Sequence, residues 1–168
     1  MPEVSPGAEL TLSLDPNVRG QFHNVTDGTL FAEVDVVFPI LHGPFGEDGT
    51  VQGLFELSGL PYVGPGVLAS SVGMDKEFTK KVLAAADLTV APEVILKGRT
   101  ELSEDEKQRL GLPVFVKPAR GGSSIGVSKV STWEEFPAAV DLALEDDEKI
   151  LVEPEIVGQE VEIGVLHY

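Results

Sequence analysis

The feature that most constrains the fold is an apolar segment followed by a glycine-rich turn and a helix. Residues 34–41 are almost continuously apolar, residues 42–49 contain three glycines and one proline, and residues 50–58 repeat apolar side chains at helical spacing. Residues 61–63 form a second short apolar segment, and Gly59 is placed to end the helix. Such an apolar strand is typical of a sheet covered on both faces, and the strand, helix, strand order is typical of a βαβ unit. The sequence therefore predicts an α/β fold for this part of the chain.

The C-terminal half follows a different pattern, with short apolar segments separated by turns. We expect a helix at residues 71–86 and a second helix that begins with a capping box formed by Ser103 and Glu106. Strands are predicted at residues 114–116, 125–130, 150–153 and 160–167. Because a short loop joins the first two of these strands, we predict an α+β unit with an antiparallel sheet.

The N-terminal segment carries weaker signals. Alternating apolar and polar side chains at residues 9–14 predict one strand, whereas the turn residues at 15–28 indicate a surface excursion. The α/β and α+β patterns meet within residues 87–98. We therefore predict a variable N-terminal segment, part of an α/β domain and part of an α+β domain, at residues 1–33, 34–90 and 91–168.

Composition limits the classes of partner. The 168 residues include 28 acids and 12 bases, so the formal charge is -16. This charge disfavours nucleic acid and anionic membranes, and no apolar run approaches the roughly 20 residues of a membrane span. Eleven bases lie beyond residue 75, where we expect any anion site. The absence of cysteine excludes a disulfide scaffold and a thiolate metal site, and together with the missing signal-peptide pattern it predicts a cytoplasmic protein.

The loop at residues 117–126, which reads KPARGGSSIG, is the strongest candidate for a binding site. It leaves a predicted strand with Lys117 and Arg120 three residues apart. Glycine lets backbone N–H groups approach an anion, serine hydroxyls add donors, and the two cations supply fixed charge. The loop lacks the ending of a Walker A motif. Taken alone, it fits a phosphate-binding loop and an ordinary glycine-rich hairpin turn equally well.

Three other motifs have simple structural explanations. Residues 64–69 match the GxGxxA dinucleotide fingerprint, but no acidic residue ends a following strand at the required distance, so a structural turn is favoured. His42 follows an apolar strand, where it fits a substrate contact and a cap of its own loop equally well. Glu153 and Glu160 can accept hydrogen bonds from a nucleotide, although their spacing alone favours solvated acids.

Taken together, five segments resemble the D-alanine–D-alanine ligases of the ATP-grasp superfamily. They occur in the family's order over residues 34–166, and they are FPILHGPFGEDGTVQG (38–53), PYVGPG (61–66), SVGMDK (71–76), PVFVKPARGGSSIGV (113–127) and LVEPEIVGQE (151–160). The resemblance implies a partial ATP-grasp fold preceded by part of an α/β domain. It also implies an ATP-dependent ligase that forms D-alanyl-D-alanine from two D-alanines through an acyl phosphate. That dipeptide is used in peptidoglycan synthesis, and so in cell-wall biogenesis and cell shape.

The resemblance assigns four residues to the triphosphate side of an ATP site. Lys76 and Lys117 match the phosphate-contacting lysines of the family. Ser123 and Ser124 match residues of the small-residue loop that lies over the phosphates and the substrate.

The resemblance also assigns residues to the nucleoside and to D-alanine. Glu153 matches the acid that faces adenine, Ile156 matches a hinge residue whose backbone meets the adenine ring, and Glu160 matches the acid on the ribose. His42 matches a histidine on the D-alanine side, and with Ser123 it is the expected catalytic residue.

The metal ligands of the family do not match any residue of this sequence. Family members are roughly twice as long, so we assign no metal residue and expect the Mg²⁺ or Mn²⁺ ligands outside these 168 residues. We therefore expect the isolated chain to be inactive.

Two alternatives to a D-alanine–D-alanine ligase are a nucleotide-binding fragment without activity and a related ATP-grasp ligase such as a D-alanine–D-lactate ligase. A dinucleotide oxidoreductase ranks below both. The resemblance is compatible with a homodimer of the full-length protein.

Overall fold

The computed structural model describes residues 7–164 and divides into two compact units, which meet in sequence at Asp75 and Lys76. The first unit begins with an antiparallel meander of β1 (Leu10–Leu12), β2 (Gln21–Asn24) and β3 (Leu30–Glu33). The β2–β3 turn is held by Asp27, whose carboxylate accepts hydrogen bonds from the Thr29 amide and hydroxyl at 2.9 and 2.7 Å. The strand predicted at residues 9–14 is confirmed. Residues 15–28 were predicted to be a surface excursion; their described side chains lie outside the buried core, but the segment also supplies the central strand β2 of the meander.

Two helices follow in the first unit, α1 (Thr50–Ser58) and α2 (Val67–Met74). Gly59 ends α1 in the left-handed conformation, with φ 65°, and its amide donates to helix carbonyls. The sequence correctly predicted that α1 ends at Gly59. The hydroxyl of Ser71 donates a hydrogen bond to the carbonyl of Asp48 at 2.7 Å, which ties α2 to the glycine-rich turn before α1.

The βαβ unit is present only in outline. Val37 and Tyr62 form an isolated parallel bridge on either side of α1. The buried strand predicted at residues 34–41 was wrong, since Phe38 is 70% exposed and Ile40 is 79% exposed. A strand is buried only where neighbouring elements cover both of its faces. Within residues 7–164, this segment has that single bridge and, at its start, a hydrogen bond from the Val34 amide to the carbonyl of Gly20 at 3.0 Å.

The second unit is a four-stranded sheet with helices. In chain order it contains α3 (Lys76–Ala85), β4 (Val94–Lys97), α4 (Glu104–Leu110), β5 (Val114–Pro118), β6 (Ser128–Val130), α5 (Phe136–Leu144) and β7 (Lys149–Pro154). The strand order is β4-β7-β5-β6, and every neighbouring pair is antiparallel. The predicted α+β unit is confirmed, including the hairpin formed by β5 and β6 and the capping box of Ser103 and Glu106.

The two faces of this sheet have different roles. One face is buried against α4 and α5, and its strand residues are Val94, Leu96, Val114, Val116, Val130, Ile150 and Val152. Successive side chains of a strand point to opposite faces, so Lys117 and Glu153 lie on the other face. In the register, Phe115 is opposite Glu153 and Lys117 is opposite Leu151. Lys117 and Glu153 are therefore diagonal neighbours on adjacent strands.

Several boundaries differ from the predictions. The helix expected at residues 71–86 is two helices, because Asp75 has extended backbone angles, φ -103° and ψ 107°, between α2 and α3. The strand expected at 125–130 is limited to β6. The strand expected at 160–167 was wrong over residues 160–164, which form no strand and where Ile163 is 83% exposed. The remainder of that prediction lies outside the described residues.

The boundary between the units precedes α3. The Lys76 amide donates to the carbonyl of Ala119 at 2.9 Å, and Lys149 donates to the carboxylate of Glu77 at 2.8 Å. These contacts place α3 in the second unit, whereas the domain division predicted from the sequence falls after residue 90. The correspondence of the two units to whole domains stays a prediction.

Candidate functional site

The glycine-serine loop begins where β5 ends, and its first residues are anchored. The Ala119 amide donates to the carbonyl of Lys149 at 2.8 Å. The backbone amide and guanidinium of Arg120 donate to the buried carboxylate of Asp147 at 2.8 and 2.6 Å. Burial raises the pKa of Asp147, but the hydrogen bonds from Arg120 and Lys149 more than offset it, so the pKa of this carboxyl is lowered. The start of the loop is therefore fixed to the β7 side of the sheet.

The tip of the loop is exposed and has unusual backbone geometry. Ser123 and Ser124 both adopt positive φ angles, 53° and 56°, and both side chains are exposed. Among the described residues, neither hydroxyl takes part in a hydrogen bond within the protein. The loop closes at Gly126, where φ is 66° and a Cβ would lie 2.8 Å from Cγ of Pro118. The loop thus presents two serine hydroxyls to solvent directly after β5.

Lys76 lies at the base of the same loop. Its Nζ donates to the carbonyl of Pro118 at 3.1 Å and to the carbonyl of Gly121 at 2.9 Å. Pro118 is the residue that follows Lys117. The structure therefore brings the Lys76 ammonium to the end of β5, where the glycine-serine loop begins and next to the residue that follows Lys117.

The Lys117 ammonium is part of a chain of opposite charges. Lys117 donates to one oxygen of Glu153, and Lys80 of α3 donates to the other. Lys80 also lies 3.2 Å from Oε2 of Glu93, and this chain of four side chains is called the Glu93–Lys117 cluster below. Side-chain exposure in the cluster is between 15% and 20%. Two cations and two anions are thus held together on the sheet face opposite the core.

Electrostatics in the cluster keep Glu153 ionised. Burial raises the pKa of Glu153, but the hydrogen bonds from Lys117 and Lys80 lower it by more, so the pKa lies below its ordinary value. A half-buried carboxylate with two ammonium partners stays charged at neutral pH. It can accept further hydrogen bonds, because a carboxylate has about four acceptor positions.

Three of the residues that the sequence singled out lie neither in the cluster nor at the glycine-serine loop. Ile156 is 67% exposed in the connector after β7, and Glu160 is exposed in the same connector. Within residues 7–164, neither side chain forms a hydrogen bond or ion pair with the cluster. His42 is exposed in the first unit, at the start of a loop in which the Gly43 amide donates to Glu47 at 2.6 Å.

Sequence reasoning missed two members of the cluster, Lys80 and Glu93. Lys80 had a usable signal, because it follows Lys76 by four residues in a predicted helix and such residues share one face. Glu93 had no such signal, because it lies just before β4, and its place in the cluster depends on the pairing of β4 with β7 and on the contact with Lys80 of α3.

The described residues do not offer a metal centre. Among residues 7–164, no three His, Asp or Glu side chains are grouped so that they can hold a metal ion. The described helices also include none that is both long enough and apolar enough to cross a membrane.

Comparison with known protein families shows which family the chain belongs to. A family model described as D-ala D-ala ligase N-terminus matches residues 5–65, and one described as D-ala D-ala ligase C-terminus matches residues 82–168. Among solved structures, the VanG D-Ala:D-Ser ligase from Enterococcus faecalis superposes with a TM-score of 0.78 at 39% identity, covering 90% of this chain and 43% of that chain. The D-alanine-D-alanine ligase from Coxiella burnetii superposes with a TM-score of 0.77 at 38% identity, covering 90% of this chain and 44% of that chain. The fold is thus a partial ATP-grasp fold preceded by part of an α/β domain.

Curated relatives agree with this placement. The D-alanine–D-alanine ligase of Corynebacterium aurimucosum is 67% identical over 99% of this chain and 47% of its own length. That of Corynebacterium efficiens is 66% identical over 100% of this chain and 46% of its own length. The chain belongs to the D-alanine–D-alanine ligase family and spans slightly less than half the length of these relatives. The family resemblance found in the sequence is confirmed.

Proposed function

We propose that this chain contributes the nucleotide-binding residues of an ATP-dependent ligase that joins two D-alanines for peptidoglycan synthesis. The observation that carries the proposal is the position of Lys76 and Lys117 at the strand end that leads into the glycine-serine loop. Lysine ammonium groups, backbone donors and small side chains together form a site that suits a triphosphate. The same residues occur in a chain whose relatives are named as this ligase.

The proposed reaction has two steps. A carboxylate oxygen of the first D-alanine attacks the γ-phosphorus of ATP, and ADP leaves, which gives an acyl phosphate. The amine of the second D-alanine then attacks the acyl carbon, and phosphate leaves as the amine loses a proton. Phosphoryl transfer of this kind depends mainly on positioning and on neutralising phosphate charge. Lys76 and Lys117 would supply that neutralisation, and Ser123 and Ser124 would donate hydrogen bonds from the loop.

The remaining site residues keep the roles that the resemblance implies. Glu153 would accept a hydrogen bond from the adenine amino group, the backbone of Ile156 would meet the adenine ring, and Glu160 would bind the ribose. Ser123 would also face the substrate, and His42 would lie on the D-alanine side. These five roles are part of the proposal.

The family depends on ATP and on a divalent metal ion such as Mg²⁺ or Mn²⁺. The side chains within residues 7–164 do not fit such an ion, because none of them form a group of three carboxylate or imidazole ligands. We therefore assign no metal ligand and derive no step through the metal. A cytoplasmic location is consistent with a reaction that consumes ATP, and both that location and a homodimer stay predictions.

Nucleotide affinity tests the proposal. Titration calorimetry of the purified chain is expected to detect ATP binding that exceeds GTP binding. Lys117→Met should weaken ATP binding by at least about ten-fold, which corresponds to about 1.4 kcal/mol. Lys97→Met is the matched control, since Lys97 is 65% exposed on β4 and is paired only with Glu148 at 3.5 Å among the described residues. Equal ATP affinities of the wild type and the Lys117→Met variant would contradict the proposal.

A second acceptor, D-serine, is supported by the match to the VanG D-Ala:D-Ser ligase. The first step is the same for either acceptor, so the residues described above do not distinguish them. Mass spectrometry of the product that a full-length ligase containing this sequence forms from a mixture of D-alanine and D-serine would separate the two candidates, because D-alanyl-D-serine carries one additional oxygen.

A further inference from the structure

Lys80 is surrounded by acceptors. Its ammonium group donates to the carbonyl of Ala91 at 3.2 Å and to Oε2 of Glu153, and it lies 3.2 Å from Oε2 of Glu93. An ammonium group has three donor hydrogens, and here it faces three oxygen atoms from three residues. Two of these contacts are hydrogen bonds, to Ala91 and Glu153, and the third is an ion pair with Glu93, whose Oε2 accepts no hydrogen bond. Because Lys80 is engaged with acceptors of the protein, we expect its effect on nucleotide binding to pass through these partners.

The charges of the Glu93–Lys117 cluster balance only when Lys80 is present. Glu153 now has two cationic partners, Lys117 and Lys80. A triphosphate that binds Lys117 competes with Glu153 for that ammonium group, because both are anions. When Lys117 turns to the phosphate, Lys80 is the cation that remains on Glu153 within the described cluster. Without it, a half-buried carboxylate would face the incoming phosphates with its charge uncompensated.

We propose that Lys80 is a positioning residue that neutralises Glu153 and holds its carboxylate in place, so that Lys117 can be transferred to the phosphates of ATP. The inference rests on the proposed function, in which this sheet face binds the nucleotide. It assigns Lys80 no contact with ATP. The gain in ATP affinity that Lys80 provides therefore depends on the phosphates of the ligand and on the charge of Glu153.

The test compares ATP with adenosine, which has no phosphate. Calorimetric affinities of both ligands are measured for the wild type, Lys80→Met and Lys80→Arg, with Lys97→Met as the control for removal of one lysine from the same unit. Lys80→Met is expected to lose at least ten-fold in ATP affinity and less than three-fold in adenosine affinity. Lys80→Arg keeps the charge and should recover most of the ATP affinity. A purely structural role for Lys80 would lower the affinities for both ligands alike.

A double variant separates charge from packing. Adding Glu153→Gln to Lys80→Met removes the carboxylate that would otherwise face the phosphates, so affinity for tripolyphosphate, which has no adenine, is expected to rise above that of Lys80→Met alone. Circular dichroism melting shows whether Lys80→Met folds, and if it does not, the double variant and Lys80→Arg carry the test. Unchanged ATP affinity in Lys80→Met, or no rise in the double variant, would overturn the role of Lys80. Failure of the wild type to bind ATP would instead overturn the proposed function.

Discussion

Lys117 on β5 and Glu153 on β7 are diagonal neighbours that share a hydrogen bond on the sheet face opposite the core. This pairing means that the lysine proposed to bind phosphate already has an anionic partner within the protein. Phosphate binding at this site is therefore an exchange of one anion for another around Lys117. The free energy of the exchange depends on how well Glu153 is compensated by Lys80 when Lys117 leaves it.

The exchange predicts an unusual effect of Glu153→Gln. Removing the carboxylate frees Lys117 from its competing anion, so affinity for tripolyphosphate, which has no adenine, is expected to rise about two- to five-fold, or about 0.4 to 1 kcal/mol. Preference for ATP over GTP should fall in the same variant, because the acceptor proposed to face adenine is weakened. The affinities for tripolyphosphate, ATP and GTP are measured by calorimetry. Glu155→Gln is the control, since Glu155 pairs with Lys129 at 2.6 Å. A loss of tripolyphosphate affinity in Glu153→Gln would contradict the exchange.

Acid stability should depend on Glu106 at the start of α4. Arg99 donates to its two oxygens at 2.6 and 2.7 Å and the Ser103 amide donates at 2.8 Å, which lowers the pKa of Glu106 from 4.5 to about 2. A lowered folded-state pKa gives stability that is present above pH 4.5 and is lost as the pH falls from 4.5 towards 2. Urea unfolding at pH 6, 4 and 3 should therefore show a shallower loss for Glu106→Gln than for the wild type.

The control for the acid experiment is Glu104→Gln, because Glu104 lies in the same helical turn and its side chain is 88% exposed. It removes one negative charge without disturbing the capping box. Parallel pH profiles for Glu106→Gln and the wild type would show that the capping box and Arg99 contribute nothing to acid stability.

Features set by neighbouring residues were predictable from the sequence. Gly59 ends α1 because a left-handed residue is needed within one turn of the helix, and Ser103 with Glu106 caps α4 through contacts three residues apart. The β5–β6 hairpin also follows from local signals, since two apolar segments are joined by a glycine-rich loop. In the candidate site, this local information located Lys117 and the two serines of the loop.

Features set by distant residues were not predictable. The apolar segment at 34–41 has the composition of a buried strand, but burial depends on elements that cover it, and among the described residues it has one bridge to Tyr62. Glu93 joins the cluster through the pairing of β4 with β7 and its contact with Lys80, relations that no local pattern encodes. The break at Asp75 likewise carries no proline signal, and the nearby Gly73 lies inside α2 rather than at the break, so a continuous helix was the natural prediction.

The chain is expected to bind ATP without completing the ligase reaction. Incubation of the 168-residue chain with ATP, Mg²⁺ and D-alanine should release no phosphate above the background, because residues 7–164 contain no group of three metal-binding side chains. Phosphate is measured colorimetrically over time. ATP binding in the same preparation is the control that the nucleotide site is intact. Sustained turnover would show that this chain supplies metal ligands that the described residues do not reveal.

Two glycines of the loop should respond differently to alanine. At Gly126, φ is 66° and a Cβ would lie 2.6 Å from the Asp146 carboxylate and 2.8 Å from Pro118, whereas at Gly122 nothing lies within 4 Å. Gly126→Ala is therefore expected to lower the free energy of unfolding by about 1 to 3 kcal/mol, as is typical of a strained backbone position. It should also weaken ATP binding, because relief of the clash moves the loop away from Pro118. Gly122→Ala is the matched control and should change neither urea unfolding nor calorimetric affinity by a large amount. Equal behaviour of the two variants would show that the loop does not need the left-handed closure at Gly126.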